Sequence, residues 1–165
     1  MSDYKTVADD AAIETAKTAL EANNFTVTVV ADADAAKEAV ANILPKGAEV
    51  LTVTSKTLDE TGIASMVNDS GDYNAIRAKL NELMGDPAKK MEQRKLGAAP
   101  EYVVGSVHAL TQDGEALIAS NTGSQLPAYL YGAGHVVWVV GAQKITKDIA
   151  DAEQRLAQHL SLIHI

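Results

Sequence analysis

The sequence predicts an α/β fold, in which a mostly parallel β-sheet is flanked by helices and carries a helical insertion and a β-hairpin. Helix and strand patterns alternate along the N-terminal third, which favours a parallel sheet. Apolar residues make up 47% of the 165 residues but aromatic residues only 4%. The core must therefore be built from Val, Ile, Leu and Ala, as in buried parallel strands. A chain of this length suits one domain.

The N-terminal third predicts helix, strand, helix and strand in that order. Residues 25–31 alternate Thr with Val, as a half-buried strand does, and residues 50–53 form a second, mostly apolar strand. Each helix has two candidate N-capping aspartates, which are Asp9 or Asp10 and Asp32 or Asp34. The second helix has an apolar inner face that consists of Ala36, Val40, Ile43 and Leu44.

The middle section predicts an all-helical insertion between sheet elements. Thr57 and Glu60 have the spacing of a capping box, and Gly62 breaks the helix that they open. Residues 73–84 and 88–96 show helical periodicity again.

The C-terminal part returns to strands. Residues 101–110 form a strand run, and Asp113-Gly114 predicts a hairpin turn into residues 115–119. The elements expected after the hairpin are a short helix at 125–131, a strand at 135–140 and a last helix at 148–159.

Composition excludes several classes of function. The net charge of −8 disfavours nucleic acid and anionic membranes as partners. The absence of cysteine excludes disulfides, thiolate nucleophiles and Cys-ligated zinc or iron–sulfur clusters on this chain. No histidine and carboxylate pair has metal-ligand spacing and no dinucleotide or P-loop motif occurs, so we expect no metal or cofactor. With no apolar run that could span a bilayer, we expect a cytoplasmic protein.

Three polar loops follow strand patterns, and ligands of open α/β folds bind where such loops gather. They predict a site for a small anionic molecule, a carboxylate or a phosphate. Its expected residues are Thr54, Ser55 and Lys56 in the first loop, Asn121, Thr122, Gly123, Ser124 and Gln125 in the second, and Gln143 and Lys144 in the third.

The second loop has the strongest pattern. Gly123 allows the backbone to approach a ligand, and the amides of Gly123, Ser124 and Gln125 are expected to point outward at a helix start, where an anion is favoured. In the alternative interpretation, Ser124 only caps the helix and Asn121 only closes a turn.

Two further residues are weaker candidates. His108 is a candidate general base, with Ser106 expected on the same face of the strand, although a lone strand histidine is more often structural. Arg94 lies in a basic island that is either a solvated face or a flap over an anionic substrate, for which its fork suits a carboxylate.

Two long segments carry a family resemblance: TSKTLDETGI at 54–63, and RKLGAAPEYVVGSVHALTQDGEALIASNTGSQLPAYLYGAGHVVWVVGAQKI at 94–145. They resemble the LUD domain family, which includes proteins like lactate utilisation protein C. The resemblance implies the mixed α/β fold of the ribose-5-phosphate isomerase, glucosamine-6-phosphate deaminase and CoA-transferase superfamily. It also implies a role near lactate oxidation, beside iron–sulfur subunits. CoA-transferases use a glutamate nucleophile, for which Glu115 is the candidate here.

The end of the chain is expected to be non-native. Residues 160–165, LSLIHI, resemble the translation of a sequencing-library adapter, which predicts a LUD domain over 1–159 that is incomplete at its C-terminus. Family members continue with further strand-forming sequence.

The sequence leaves two possible functions open. One is an enzyme or binding protein for a carboxylate or phosphate, and the other is a non-catalytic accessory subunit that docks onto iron–sulfur redox partners. A concave pocket lined by the first two loops and Lys144 would favour the former.

Overall fold

Aspartate side chains fix where three helices begin. Asp9 accepts a hydrogen bond from the Ala12 amide at 2.8 Å, and Asp32 accepts one from the Ala35 amide at 2.9 Å. Asp148 caps the last helix in the same way. Each cap satisfies a backbone donor that the first helical turn leaves unpaired, and the structure confirms these predicted helix starts.

The computed structural model describes residues 4–160. Its helices are α1 (Asp10–Ala22), α2 (Ala33–Ile43), α3 (Lys56–Glu60), α4 (Ile63–Asp69), α5 (Ile76–Leu83), α6 (Lys90–Ala98) and α7 (Ile149–Arg155). Its strands are β1 (Glu49–Thr52), β2 (Asn74–Ala75), β3 (Tyr102–Gly105), β4 (Ala109–Thr111), β5 (Ala116–Leu117), β6 (His135–Trp138) and β7 (Ile145–Thr146). Short 3-10 helices (Pro87–Lys89, Ala142–Lys144) and π-helices (Ala128–Gly132, Leu156–Leu160) complete the order.

These elements fall into two compact units. Unit 1 comprises residues 4–29, 107–119 and 140–160, and unit 2 comprises residues 30–106 and 120–139. The predicted adapter-derived tail at 160–165 lies, from residue 161 on, outside the described residues.

Unit 2 contains a four-stranded, fully parallel sheet in the order β2-β1-β3-β6. The register pairs Val50 with Tyr102 and Val103 with Val136. Helices flank this sheet, and the predicted α/β fold is confirmed.

The core of unit 2 is aliphatic, as the composition predicts. Val50 and Val104 of the sheet are fully buried, and so are Leu58, Ile63 and Val67 of the helices that follow β1. Burying aliphatic side chains of this size stabilises a fold by about 1.5–3 kcal/mol each, so this cluster holds β1 and β3 in place.

Unit 1 contains a three-stranded sheet in the order β5-β4-β7, with β4 and β5 antiparallel and β4 and β7 parallel. The predicted hairpin is confirmed. Gly114 turns the chain with φ of +86°, and the Thr111 amide donates to the Glu115 carbonyl at 2.8 Å.

The predicted strand at 25–31 is wrong. Residues 25–30 have no regular secondary structure, and no described strand pairs with them. Val29 is 55% exposed. Alternation of Thr and Val gives local β propensity, but a strand also needs a hydrogen-bonded neighbour, which a local pattern cannot supply.

The expected single strand at 101–110 is wrong as well. The run divides into β3 and β4, which belong to different sheets and different units. Continuous apolar character hides such a break, because both strands are buried on both faces.

Two details of the middle section and one of α2 also differ. The middle section is not all helical, because β2 pairs with β1 between two helices. The expected capping box does not form, since α3 begins at Lys56 with Ser55 at the N-cap position. Ile43, expected on the inner face of α2, is 50% exposed.

Candidate functional site

The carboxyl ends of the four parallel strands of unit 2 meet at one edge of its sheet. Residues 53–55 follow β1 there, α5 follows β2, and Ser106 follows β3. Ligands of open α/β folds bind at such edges. The first predicted loop therefore lies where the sequence placed it.

The hydroxyl groups of the β1 loop are available to a ligand. Thr54 is exposed, and Ser55 is half-buried at the N-cap position of α3. The Ser55 side chain makes no capping hydrogen bond, although its carbonyl accepts one from the Asp59 amide at 3.1 Å. The Ser55 hydroxyl therefore does not satisfy the first turn of α3.

Lys56 and Arg94 are surface side chains. Lys56 lies 3.4 Å from the Glu60 carboxylate, one helical turn away, and both side chains are more than half exposed. Such pairs contribute little stability and hold neither partner firmly. Arg94 is exposed on α6.

Arg77 is the cation of this edge that the sequence pattern did not reveal. It lies in the first turn of α5, and its Nη2 donates to the carbonyl of Thr52 at the end of β1. The side chain is half-buried, and this burial lowers the pKa of Arg77. Among residues 4–160, no carboxylate lies within 4.0 Å of it.

Arg77 therefore carries a charge that the described protein does not neutralise. A guanidinium has five N–H donors, and the Thr52 carbonyl takes one of them. The helix that carries it begins at Ile76, and its N-cap residue, Ala75, has no side chain that could cap the first turn. This arrangement favours a negatively charged group beside β1.

Tyr129 occupies the edge beyond β3. Its hydroxyl accepts a hydrogen bond from the Ser106 amide at 3.1 Å and donates to the Ser106 carbonyl at 3.2 Å. Burial raises the pKa of Tyr129 to about 12, although the hydrogen bond with the Ser106 backbone opposes this. A Cβ at Gly105 would lie 1.7 Å from the Tyr129 hydroxyl oxygen, so any other residue there would displace the Tyr129 side chain. The Trp138 ring packs edge-on against Tyr129 at 5.6 Å.

The 121–125 loop is organised by a residue that the sequence analysis did not select. The Ser120 hydroxyl accepts a hydrogen bond from the Gly123 amide at 2.9 Å and donates to Gln125 Oε1 at 2.7 Å. The expected outward direction of the Gly123 amide is therefore wrong. Gly123 has φ of +70° and open space around it, as predicted for a turn that a ligand can approach.

The remaining polar groups of this loop face solvent. Asn121, Thr122 and Ser124 are exposed, and the Thr122 hydroxyl donates to Ser124 Oγ at 3.0 Å. The π-helix that follows, Ala128–Gly132, is too short for an appreciable helix dipole. Within residues 4–160, no hydrogen bond joins this loop to residues 54–56.

A family model for the LUD domain matches residues 13–162. The chain belongs to the LUD domain family. The match confirms the resemblance carried by residues 54–63 and 94–145. Neither a curated protein nor a solved structure matches the chain at a significant level.

Four predicted residues of this LUD domain lie in unit 1: His108, Glu115, Gln143 and Lys144. His108 Nδ1 accepts a hydrogen bond from the Ala119 amide at 3.2 Å. Burial lowers the pKa of His108, and the charges of Lys144 and Arg155 lower it further. The expected shared strand face of Ser106 and His108 is wrong, because β3 ends at Gly105 and β4 begins at Ala109, so neither residue lies in a strand.

Glu115 and Gln143 have local contacts within the LUD domain. The Glu115 carboxylate accepts a hydrogen bond from the Thr111 hydroxyl at 3.1 Å across the hairpin. The Gln143 side chain lies over Gly141, where an added Cβ would be 2.3 Å from Gln143 Oε1.

Within residues 4–160 of the LUD domain, His, Asp and Glu side chains form no group of three that could hold a metal ion. None of the helices in the same range combines the length and the apolar character needed to cross a bilayer.

Proposed function

We propose that this LUD domain binds a small carboxylate or phosphate at the carboxyl edge of its four-stranded sheet, as part of the use of lactate or a related organic acid. The proposal rests on one observation, that Arg77 is a half-buried cation without an acidic partner among the described residues. Family membership supports the organic-acid context.

The cost of burying Arg77 argues for a ligand. Taking a charge partly out of water is unfavourable unless an opposite charge or enough hydrogen bonds compensate it. One backbone carbonyl supplies a single acceptor. A carboxylate or a phosphate would accept two parallel hydrogen bonds from the fork and neutralise it.

The β1 loop supplies neutral donors for the same ligand. Thr54 and Ser55 follow Val53, the first residue after the strand whose last carbonyl Arg77 contacts. A hydroxyl can donate to the second oxygen of a carboxylate. Arg77 is thus the anchor, and these hydroxyls determine which anions fit.

A purely structural role for Arg77 is the competing explanation. In that case the guanidinium only satisfies the Thr52 carbonyl at the end of β1, and no anion is needed. The two explanations differ in how a conservative substitution behaves, because lysine retains the charge but loses the fork.

The test is titration calorimetry with L-lactate, pyruvate, inorganic phosphate, a sugar phosphate and a CoA ester, on the parent chain and three variants. Arg77→Gln is expected to weaken the best ligand about tenfold or more, and Arg77→Lys by less. Lys79→Gln is the matched control, since Lys79 is an exposed cation on the same helix as Arg77, and is expected to bind as the parent does. Equal affinity in Arg77→Gln and the parent would sink the proposal, and so would the absence of binding throughout.

A second candidate function is an accessory subunit that docks onto an iron–sulfur redox partner. Two adjacent apolar side chains of the 128–132 π-helix support it: Leu130 is 77% exposed and Tyr131 is 96% exposed. Tyrosine is enriched among the residues that anchor interfaces. If a purified iron–sulfur subunit bound the parent, Leu130→Ser/Tyr131→Ser would abolish binding, whereas Arg77→Gln would leave it unchanged.

A further inference from the structure

One residue of unit 2, Thr52, holds two polar side chains at the carboxyl end of β1. Its carbonyl accepts a hydrogen bond from Nη2 of Arg77, and its hydroxyl donates to Oδ1 of Asn68 at 3.0 Å. Thr52 is the last residue of β1 and is 2% exposed. Arg77 belongs to α5 and Asn68 to α4, yet each of them contacts an atom of the same buried residue. The guanidinium and the side-chain amide are therefore neighbours at this edge.

The contact with Thr52 leaves the Asn68 amide nitrogen as a donor without an acceptor. Oδ1 takes the proton of the Thr52 hydroxyl, whereas Nδ2 has two N–H groups. Asn68 is half-buried, and within residues 4–160 its Nδ2 donates to no protein atom. This nitrogen is not one of the fully enclosed polar atoms of that range, so a ligand can reach it. The adjacent carboxylate of Asp69 accepts instead from the Ser65 hydroxyl at 2.9 Å.

A donor held beside Arg77 distinguishes between kinds of anion. The guanidinium fork binds two oxygens of an anion. A simple carboxylate has only these two, whereas a 2-hydroxy acid, a 2-oxo acid or a phosphate has a third acceptor oxygen beside them. An anion without the third oxygen leaves the Asn68 N–H groups desolvated and unpaired, which is unfavourable.

We propose that Asn68 determines the specificity of the anion site, by donating from Nδ2 to a third oxygen of the ligand next to the two that Arg77 binds. The inference rests on the proposed function, because Arg77 is the anchor in both. It goes further in selecting anions with three neighbouring acceptor oxygens and in assigning the third oxygen to a residue of α4.

Thr52 is the positioning residue of this arrangement. The hydroxyls of Thr54 and Ser55 rotate freely and can either donate or accept. The Asn68 amide is held by the Thr52 hydroxyl, so its N–H groups keep one direction. Thr52→Val removes this hydroxyl but retains the backbone carbonyl that Arg77 contacts.

The test compares small anions by titration calorimetry. Propionate has two oxygens, L-lactate and pyruvate have a third on the carbon next to the carboxylate, and inorganic phosphate has it on phosphorus. The parent is expected to bind at least one of the last three about fivefold more tightly than propionate. Asn68→Ala is expected to remove this preference and to leave the propionate affinity unchanged. The anion whose affinity falls identifies whether the third oxygen comes from a carboxylic acid or from a phosphate.

Two further variants separate the loss of the donor from a loss of folding. Asn68→Asp still accepts from the Thr52 hydroxyl but has no N–H, so it should lose the preference and also weaken every anion through its charge. Thr52→Val should reduce the preference without changing the propionate affinity, and Thr52→Ser should restore it. Asn74→Ala is the matched control, because Asn74 is an exposed asparagine of β2 whose Oδ1 accepts from Lys79, and it should bind as the parent does.

An unchanged preference in both Asn68 variants would overturn the inference. A parent that binds propionate as tightly as L-lactate, pyruvate and phosphate would overturn it as well. In either case, weaker binding by Arg77→Gln would leave the proposed function standing. Equal binding by Arg77→Gln and the parent would end both.

Discussion

Two arginines, one in each unit, hold backbone carbonyls in the interior and differ in what compensates their charge. Arg155 in unit 1 makes two hydrogen bonds to carbonyls, lies 5.7 Å from the Tyr4 ring and has Asp151 nearby. Arg77 in unit 2 has one carbonyl and no acidic neighbour within the described residues. A well-compensated buried arginine is typical of a structural clamp, whereas an uncompensated one indicates a ligand.

The two arginines are expected to differ most in their contribution to the free energy of unfolding. Arg155→Met is expected to lower the free energy of unfolding by roughly 3 kcal/mol, because it leaves the His108 and Tyr4 carbonyls without their charged donor. Arg77→Met is expected to change it by less than about 1 kcal/mol, since the lost hydrogen bond is offset by removal of a poorly compensated charge.

Urea denaturation of both variants measures this difference, with Arg94→Met as an exposed control that should stay within about 0.5 kcal/mol of the parent. A stability loss in Arg77→Met as large as that of Arg155→Met would make Arg77 a structural clamp as well. The anion-binding role would then lose its main support.

Tyr129 is a polar residue with a structural role at the edge of the unit 2 sheet. Its substitution is expected to have the next largest effect on stability. Tyr129→Phe removes both hydrogen bonds to the Ser106 backbone and is expected to cost roughly 1–3 kcal/mol. The anion affinity measured through Arg77 should not change, because the hydroxyl is committed to Ser106.

Alkaline unfolding adds a check on the same residue. With the pKa of Tyr129 raised to about 12 by burial, the phenolate forms first in the unfolded chain. The parent should therefore lose its advantage over Tyr129→Phe as the pH rises from about 10 to about 12. A constant difference over this range would mean that the hydroxyl titrates equally in both states.

Features that depend on contacts between nearby residues could be predicted from the sequence, whereas features that depend on contacts between distant residues could not. The caps at Asp9, Asp32 and Asp148 were predictable, because each depends on a hydrogen bond to an amide three residues away. The strand expected at 25–31 failed because strand pairing is not a local property. The division of residues 101–110 between two units failed for the same reason.

The same distinction between local and distant contacts applies to the residues of the candidate site. The loop hydroxyls of Thr54 and Ser55 were predictable, because polar residues after a buried strand mark its carboxyl end. Arg77 was not, since its burial depends on the pairing of β2 with β1 inside a stretch with helical periodicity. The inward turn of the Gly123 amide depends on the single hydroxyl of Ser120, which a pattern of glycine and polar residues does not distinguish.

The smallest expected effect is a pH dependence of the stability that comes from His108, the residue of unit 1 whose carbonyl Arg155 contacts. Burial first, and then Lys144 and Arg155, lower the pKa of His108 in the folded state. The unfolded chain therefore binds a proton first as the pH falls below about 6.5, so His108 makes folding less favourable at acidic pH. The side-chain amide of His108→Gln can still accept from Ala119, but it does not titrate. This variant should lose less stability than the parent between pH 7 and pH 5 in urea denaturation.

His135→Gln is the appropriate control, because it removes an exposed histidine of unit 2. Parallel pH profiles of His108→Gln and the parent would show that burial, Lys144 and Arg155 do not lower the pKa of His108 in the folded protein, and the contrast between the two arginines would then depend on Arg77 alone.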